Sequence, residues 1–334
     1  DSASLGSTPT TVKASNYSNN TRSSYYPYTA SGLSLAKVGT DYIAVGYSGT
    51  WGYTLNSTTS RPKNIATFWN LGTGSSLTAP TTTKIFSSDS DNPGTDSDYY
   101  YDNSWAVGIN ENGYIIGNRN YRLKESRNYP TKMFVAKYAS GSTPIVSSNI
   151  ISTDGVDSEG AAINNNDQVV GWTDERGTTT DTVISSVPRL QEAFLYNIKT
   201  GKRYAINDLI CSSASSCSQN GYYYYIEYAN DILDDGTILA SARRFSNYTD
   251  WSTLTNGTNV VVKLTVPSTV IADVGTATGF DSNNDVPTKY VITNQLPAFD
   301  YGASSGGGSF GIFGLLAMAS AALVGQYRRF VKKA

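Results

Sequence analysis

Asp89, Asp91, Asp96 and Asp98 crowd the stretch SDSDNPGTDSDYYY around a Pro93-Gly94 turn. Carboxylate oxygens at that density are the ligand chemistry of Ca²⁺, which takes roughly six to eight oxygens. The EF-hand template is not met, because no Glu closes a twelve-residue loop, so an acidic solvated loop competes with the Ca²⁺ reading. Asp281, Asn283 and Asp285 form a second, sparser set. The residues suggest no cofactor beyond this candidate Ca²⁺ site.

Acid–base chemistry is restricted more severely. The 334 residues include no histidine, which removes Ser-His-Asp and Cys-His nucleophile systems and any His-held zinc or iron. The carboxylate doublets Asp174-Glu175 and Asp234-Asp235 fall in or beside turns. Adjacent strand residues face opposite ways, whereas a glycosidase sets two carboxylates roughly 5–10 Å apart across its substrate. No catalytic residue is assigned, and the chain reads as a non-enzyme. With net charge −2 and only 16% charged residues, it has no electrostatic footprint for nucleic acid.

Aromatic side chains are the remaining chemistry. Tyr25, Tyr26 and Tyr28, together with the run Tyr222, Tyr223, Tyr224 and Tyr225, are candidate interaction residues. An extended Tyr run turns alternate rings to opposite faces, so inter-sheet packing and a binding surface compete for it. Trp51, Trp69, Trp105, Trp172 and Trp251 could add stacking surface, although Trp69 and Trp105 fall in strand patterns and read as core. Cys211 and Cys217, the only cysteines, flank Ser-Ser-Ala-Ser-Ser and are expected to close a loop disulfide in an oxidising compartment.

The elements that must position these residues read as strands. Ser, Thr, Gly, Asn and Tyr are abundant, which suits strands joined by Gly/Asn/Asp turns. Four units recur: YIAVGYSG with NIATFWNLGTG, SWAVGINENGYIIGN with TKMFVAKYASG, AAINNNDQVVGWTDE with QEAFLYNIKTGKRYAINDL, and YANDILDDGTILASAR with NVVVKLTV. Gly117 corresponds to Gly171 and then Ala240, separations of 54 and 69 residues, and the turn position runs Gly113, Asp167, Gly236. Asn110 and Asn164 match, and Leu233 breaks the pattern. A hairpin cannot bury its apolar face alone, so repeated four-stranded units predict an all-β, propeller-like fold. A β-sandwich or solenoid is the alternative.

The hairpin Ala106-Val107-Gly108-Ile109-Asn110, its copy Ala162-Ile163-Asn164, and the strand Glu192-Ala193-Phe194-Leu195-Tyr196 resemble the extracellular HAF repeat and the related DUF3466 bacterial proteins. Glu192 stands in place of the repeat's His. The resemblance implies an extracellular β-repeat protein and brings no catalytic residues with it. Gly306-Gly307-Gly308, the apolar stretch Phe310 to Tyr327, and the basic cluster beginning Arg328-Arg329 resemble the GlyGly-CTERM sorting tail. That tail implies recognition by a rhomboid-type protease.

The apolar stretch holds eighteen uncharged residues. As a helix it is about 27 Å long, near the hydrocarbon thickness of a bilayer. The basic end places the C-terminus in the cytoplasm. The expected layout is an N-terminal arm or closing strand (1–41), an extracytoplasmic repeat domain (42–298), a linker (299–309), a transmembrane helix (310–327) and a basic tail (328–334). Asp1 is expected to follow a signal peptide or to come from a larger precursor. The expected protein is a single-pass component of the bacterial envelope, with its N-terminal domain periplasmic or extracellular. Its function is read as a membrane-tethered propeller serving as an interaction or surface-structural module without catalysis. The alternatives are a carbohydrate-binding or glycoside-cleaving propeller and a subunit of a larger envelope complex or filament. Expected partners are lipid, a membrane or envelope protein, the processing protease and a glycan.

Overall fold

Each hairpin is assembled from residues close in sequence, so its turn chemistry is the first determinant of the fold. In the computed structural model the described residues are 2–3, 12–13, 30–55, 59–73, 76–86, 99–123, 131–140, 144–147, 150, 156–174, 190–211, 217–265 and 290–297. The chain falls into two compact units, Asp1–Pro297 and Ala298–Ala334, and the second lies outside the described residues.

In the first unit, β1 (Ser2–Ala3) pairs with β2 (Val12–Lys13), and four antiparallel four-stranded sheets follow. The first is β3 (Ala30–Val38), β4 (Asp41–Leu55), β5 (Thr59–Thr73) and β6 (Ser76–Lys84). The second is β7 (Tyr99–Ile109), β8 (Tyr114–Leu123), β9 (Thr131–Lys137) and β10 (Ile145–Ser147). The third is β11 (Ser158–Ile163), β12 (Gln168–Thr173), β13 (Glu192–Asn197) and β14 (Lys202–Ala205), followed by α1 (Ile206–Ile210). The fourth is β15 (Tyr223–Ile232), β16 (Ile238–Phe245), β17 (Thr258–Thr265) and β18 (Val291–Pro297), with α2 (Tyr248–Thr253) between its second and third strands. Every sheet is a meander in which sequence neighbours pair.

The opening hairpins share one construction. The first strand carries a bulge at Gly32/Ser34, Ala106/Gly108, Gly160/Ala162 and Ala229/Asp231. Opposite each bulge the second strand places Gly46, Gly117, Gly171 and Ala240. A Cβ on Gly171 would stand 1.9 Å from the Glu159 carbonyl oxygen and 2.9 Å from the Phe194 ring; one on Gly117 would meet the Trp105 carbonyl at 2.3 Å and the Phe134 ring at 2.4 Å. In the fourth sheet Val262 takes the place of those rings opposite Ala240. Strand pairing puts Thr67, rather than Phe68, at the position of Phe134 and Phe194, so the first unit's aromatic is one residue out of register.

The core lies between consecutive sheets. Ile115 packs toward the first sheet with Ile43, Val45 and Phe68, whereas its neighbour Ile116 packs toward the third with Val169 and Phe194. Val170 in turn joins Leu195, Ile226, Ala240 and Val262 between the third and fourth sheets. Adjacent strand residues face opposite ways, so the doublets Ile115-Ile116 and Val169-Val170 identify sheets buried on both faces.

Two expectations need correction. The sheets are not closed into a propeller: packing joins first to second, second to third and third to fourth. Among the described residues no substantial contact returns the fourth sheet to the first, and ring closure requires that contact. The readings as a propeller interaction module and as a carbohydrate-binding or glycoside-cleaving propeller fall with it. The single-pass topology is also unsupported. No described helix is long and apolar enough to cross a membrane, α1 having five residues and α2 six. The expected membrane tether, envelope placement, envelope complex and partners (lipid, a membrane or envelope protein, glycan and rhomboid-type protease) therefore have no support from the described residues. Phe310–Tyr327, Gly306, Gly307, Gly308, Arg328 and Arg329 lie outside them.

The bulge-facing glycine gives a direct test. Gly171→Ala is expected to destabilise the domain by about 1–3 kcal/mol through overpacking, whereas Ala240→Gly should cost less than about 1 kcal/mol. Urea midpoints of the two variants measure this, and equal losses would refute the steric explanation.

Candidate functional site

Three polar constellations stand out, and their commitments differ. The first is the stack of hairpin turns. Asn110–Gly113, Asn164–Asp167 and Leu233–Gly236 each close with the fourth residue's N–H donating to the first residue's carbonyl, at 2.9, 3.2 and 3.0 Å. Gly113, Asp167 and Gly236 have φ of 79°, 62° and 80°, a left-handed conformation that Gly adopts freely and Asp tolerates.

The turns bond to one another by a repeated rule. Asn110 Nδ2 donates to the Asn164 carbonyl at 2.9 Å, and Asn164 Nδ2 donates to the Leu233 carbonyl at 3.0 Å. Glu111 N–H donates to Asn165 Oδ1 at 3.0 Å, and Asn165 N–H donates to Asp234 Oδ1 at 2.8 Å. Asn112 Nδ2 reaches the Asn165 carbonyl at 2.9 Å, and Asn166 Nδ2 the Asp234 carbonyl at 2.6 Å. Leu233 ends this ladder. Among the described residues no further turn follows for an amide to donate to, and its side chain is 46% exposed. Asp167, only 1% exposed, accepts from Asn110 at 2.6 Å and Asn112 at 2.9 Å and pairs with Lys199 at 3.2 Å. These groups are spent on each other, so the turn stack is structural. Asp234-Asp235 belongs to it, Asp235 Oδ1 accepting from Thr237 N–H at 2.9 Å.

The second constellation lies between the third and fourth sheets. Trp172 and Tyr228 meet edge to face at 5.6 Å, and Tyr228 Oη donates to Gln191 Oε1 at 2.6 Å. Burial pushes the Glu159 carboxyl up from its ordinary value of 4.5; the Trp172 side chain bonded to it opposes the shift, and the Asp157 charge adds to it. Burial likewise raises Glu227, against the opposing Arg243 charge. Arg243 Nε stands 2.8 Å from Glu227 Oε1 but makes no well-aligned hydrogen bond there, so we read the contact as Coulombic attraction. Both carboxyls already have partners.

The third constellation differs because three of its hydroxyls have no partner among the described residues. Tyr222 immediately precedes β15 and Tyr223 begins it, at the end remote from the turns, while Tyr224 and Tyr225 are buried at 3% and 2% exposure. The ring of Tyr223 lies 5.8 Å from Tyr248 and 6.4 Å from Trp251, and Tyr248 lies 5.5 Å from Trp251. The guanidinium of Arg244 stacks over Tyr222 at 4.4 Å. Tyr222 and Tyr248 are exposed, and the hydroxyls of Tyr222, Tyr223 and Tyr248 have no hydrogen-bond partner among the described residues. The short helix α2 holds the cluster. Asn247 caps it by accepting from Asp250 N–H at 2.9 Å and donating to Asp250 Oδ2 at 2.7 Å, and Trp251 Nε1 donates to the Tyr224 carbonyl at 2.9 Å.

The sequence-derived sites are thus unevenly placed. The Ca²⁺ candidates Asp89, Asp91, Asp96 and Asp98, the second set Asp281, Asn283 and Asp285, and Tyr25, Tyr26 and Tyr28 lie outside the described residues. Among the described residues, no group of three His, Cys, Asp or Glu could hold a metal. The Tyr run divides into two outward and two buried rings, and Cys211 and Cys217 form a disulfide. Sequence reasoning missed Tyr248 and Arg244. The Asn-x-x-Asp cap at Asn247 and Asp250 was the signal for a helix there.

Four meandering sheets, the last three of them tied together by turn-to-turn hydrogen bonds, define a β-repeat protein. The chain belongs to the family described as Protein of unknown function (DUF3466), whose match covers residues 1–294. No curated protein and no solved structure matches the chain.

Two outcomes test these assignments. Asn164→Ala removes buried donors and acceptors and should cost about 2–4 kcal/mol, whereas Leu233→Asn at the ladder's end should stay within about 0.5 kcal/mol; thermal or urea unfolding reads both. A raised folded-state carboxyl contributes stability below its unfolded value that is lost as pH rises through its folded value. Glu159→Gln should therefore stabilise the domain more at about pH 7 than at about pH 4, and the reverse order would contradict the burial assigned to Glu159.

Proposed function

We propose that this chain is a non-catalytic protein that binds a polypeptide partner through Tyr222, Tyr223, Tyr248 and Trp251. The observation that carries the reading is a set of neighbouring aromatic residues in which Tyr222 and Tyr248 are exposed, Tyr223 and Trp251 are half-buried, and the three tyrosine hydroxyls have no partner among the described residues. Tyr and Trp give a large contact area at low entropic cost, and their hydroxyls adapt to a partner's backbone. Arg244, stacked on Tyr222, adds a residue type enriched at interfaces. The absence of catalysis in this reading is supported by the commitments of Glu159 and Glu227, which leave neither as a free acid–base group.

The proposal keeps the HAF-type reading of the repeat. What supports it is that Ala106–Asn110 and Ala162–Asn164 lead into equivalent turns. In the third sheet, Glu192–Tyr196 supplies the strand whose Phe194 covers Gly171. The GlyGly-CTERM resemblance rests on residues outside the described set and plays no part in the binding reading.

A photoreactive side chain at position 248 of the full chain, in producing cells, is expected to yield a discrete adduct, while one at exposed Thr293 yields none. The partner identified from the adduct, once purified, should bind the wild type and lose about tenfold to a hundredfold in affinity on Tyr248→Ala. No discrete adduct, or a purified partner indifferent to Tyr248→Ala, would overturn the proposal.

A further inference from the structure

We infer that the Cys211–Cys217 disulfide is a redox latch on the aromatic surface, acting through Gln219; the regulatory part of this rests on the binding reading above. Gln219 lies two residues beyond Cys217 and joins three segments. Its Nε2 donates to the Ile210 carbonyl at 3.2 Å, immediately before Cys211. Its Oε1 accepts from Ile292 N–H at 2.7 Å, at the start of β18. Its backbone exchanges two hydrogen bonds with Tyr222, Gln219 N–H to the Tyr222 carbonyl at 2.8 Å and Tyr222 N–H to the Gln219 carbonyl at 3.0 Å. The neighbouring residues hold the same strand. Tyr290 N–H donates to the Leu209 carbonyl at 3.0 Å, and Asn220 Nδ2 to the Ile292 carbonyl at 3.3 Å.

The disulfide therefore spans the base of a clip formed by residues 209–211 and 217–220, which grips β18 with one side and sets Tyr222 with the other. A cross-link between residues six apart removes less entropy from the unfolded chain than one that closes a long loop. Its principal effect is local, holding Ile210 and Gln219 at the separation that lets the glutamine bridge. Cys217 is buried at 5% exposure, and Cys211 is only partly buried. A dithiol reductant can attack Cys211 Sγ, forming a mixed disulfide and releasing the Cys217 thiolate. The reductant's second thiol then displaces Cys211 and closes the reductant's own disulfide. Two electrons and two protons pass to the cysteine pair. Without the cross-link, Gln219 loses its fixed distance to Ile210, and the hydrogen bonds to Ile292 and Tyr222 loosen together.

Hydrogen exchange on the full chain, oxidised and then reduced with a phosphine, tests the latch. The amides of Tyr222, Tyr290 and Ile292 should exchange at least about tenfold faster after reduction, with Val169 and Val170 unchanged. Gln219→Ala, which keeps the disulfide, should accelerate the same three amides. Unchanged exchange at those amides, or uniform acceleration across the domain, would overturn the latch and leave a simple staple. The cross-link at position 248 provides the second readout. Its loss on reduction supports regulation. An adduct equally strong in both states overturns regulation while leaving binding intact, and no adduct in either state overturns the binding reading and the regulation that depends on it.

Discussion

An asparagine side chain that caps its own turn and donates to the next is the interaction on which this stack depends. Asn164 Oδ1 accepts from Gln168 N–H at 3.0 Å, while Asn164 Nδ2 donates to the Leu233 carbonyl at 3.0 Å, so one amide fixes both the hairpin and its distance to the following sheet. Asn110 does the same one sheet earlier, accepting from Tyr114 N–H at 2.9 Å and donating to the Asn164 carbonyl. Both asparagines are buried, where an unmet donor or acceptor carries its full desolvation cost. Apolar packing between sheets supplies the bulk attraction, but it is non-directional and would tolerate sliding. Directed bonds between equivalent turns remove that freedom.

The two ends of the sheets consequently have different characters. At the turn end, nearly every Asn and Asp group has a partner in the adjacent turn, and the ladder terminates at a leucine whose side chain has nothing to donate. At the other end of β15, polar atoms are left over. Tyr224 and Tyr225 fill the interior, while the Tyr223 ring joins those of α2 and the exposed Tyr222 ring carries Arg244. Rigidity at one end and available hydroxyls at the other suit a surface whose partner meets pre-set aromatic anchors. The clip around Gln219 lies where the fourth sheet's edge strand and that surface touch.

Much of this was legible from residues alone because it is local. The correspondence of Gly113, Asp167 and Gly236 predicted equivalent turns, and all three have left-handed backbone. The match of Asn110 with Asn164, and its failure at Leu233, reflects the ladder and its end. The replacement of Gly117 and Gly171 by Ala240 tracks the ring that lies over the first two and the valine that faces the third. The Cys pair joined as its short spacing suggested. Period counting located four units but carried no information about whether the fourth returns to the first.

Turn type, strand alternation and the repeat were determined by the sequence, because hydrogen bonds a few residues apart and the period-two alternation of side chains fix them. Which rings of the Tyr run face outward was decided only by tertiary structure, since Tyr224 and Tyr225 are adjacent and both buried, whereas Tyr222 and Tyr223 lie at the strand's end. So was the meeting of Tyr223 with Tyr248 and Trp251, which lie 25 and 28 residues further along the chain. Closure belongs to the same class. It depends on packing between the two ends of the stack, and local pattern is silent on contacts made at that separation.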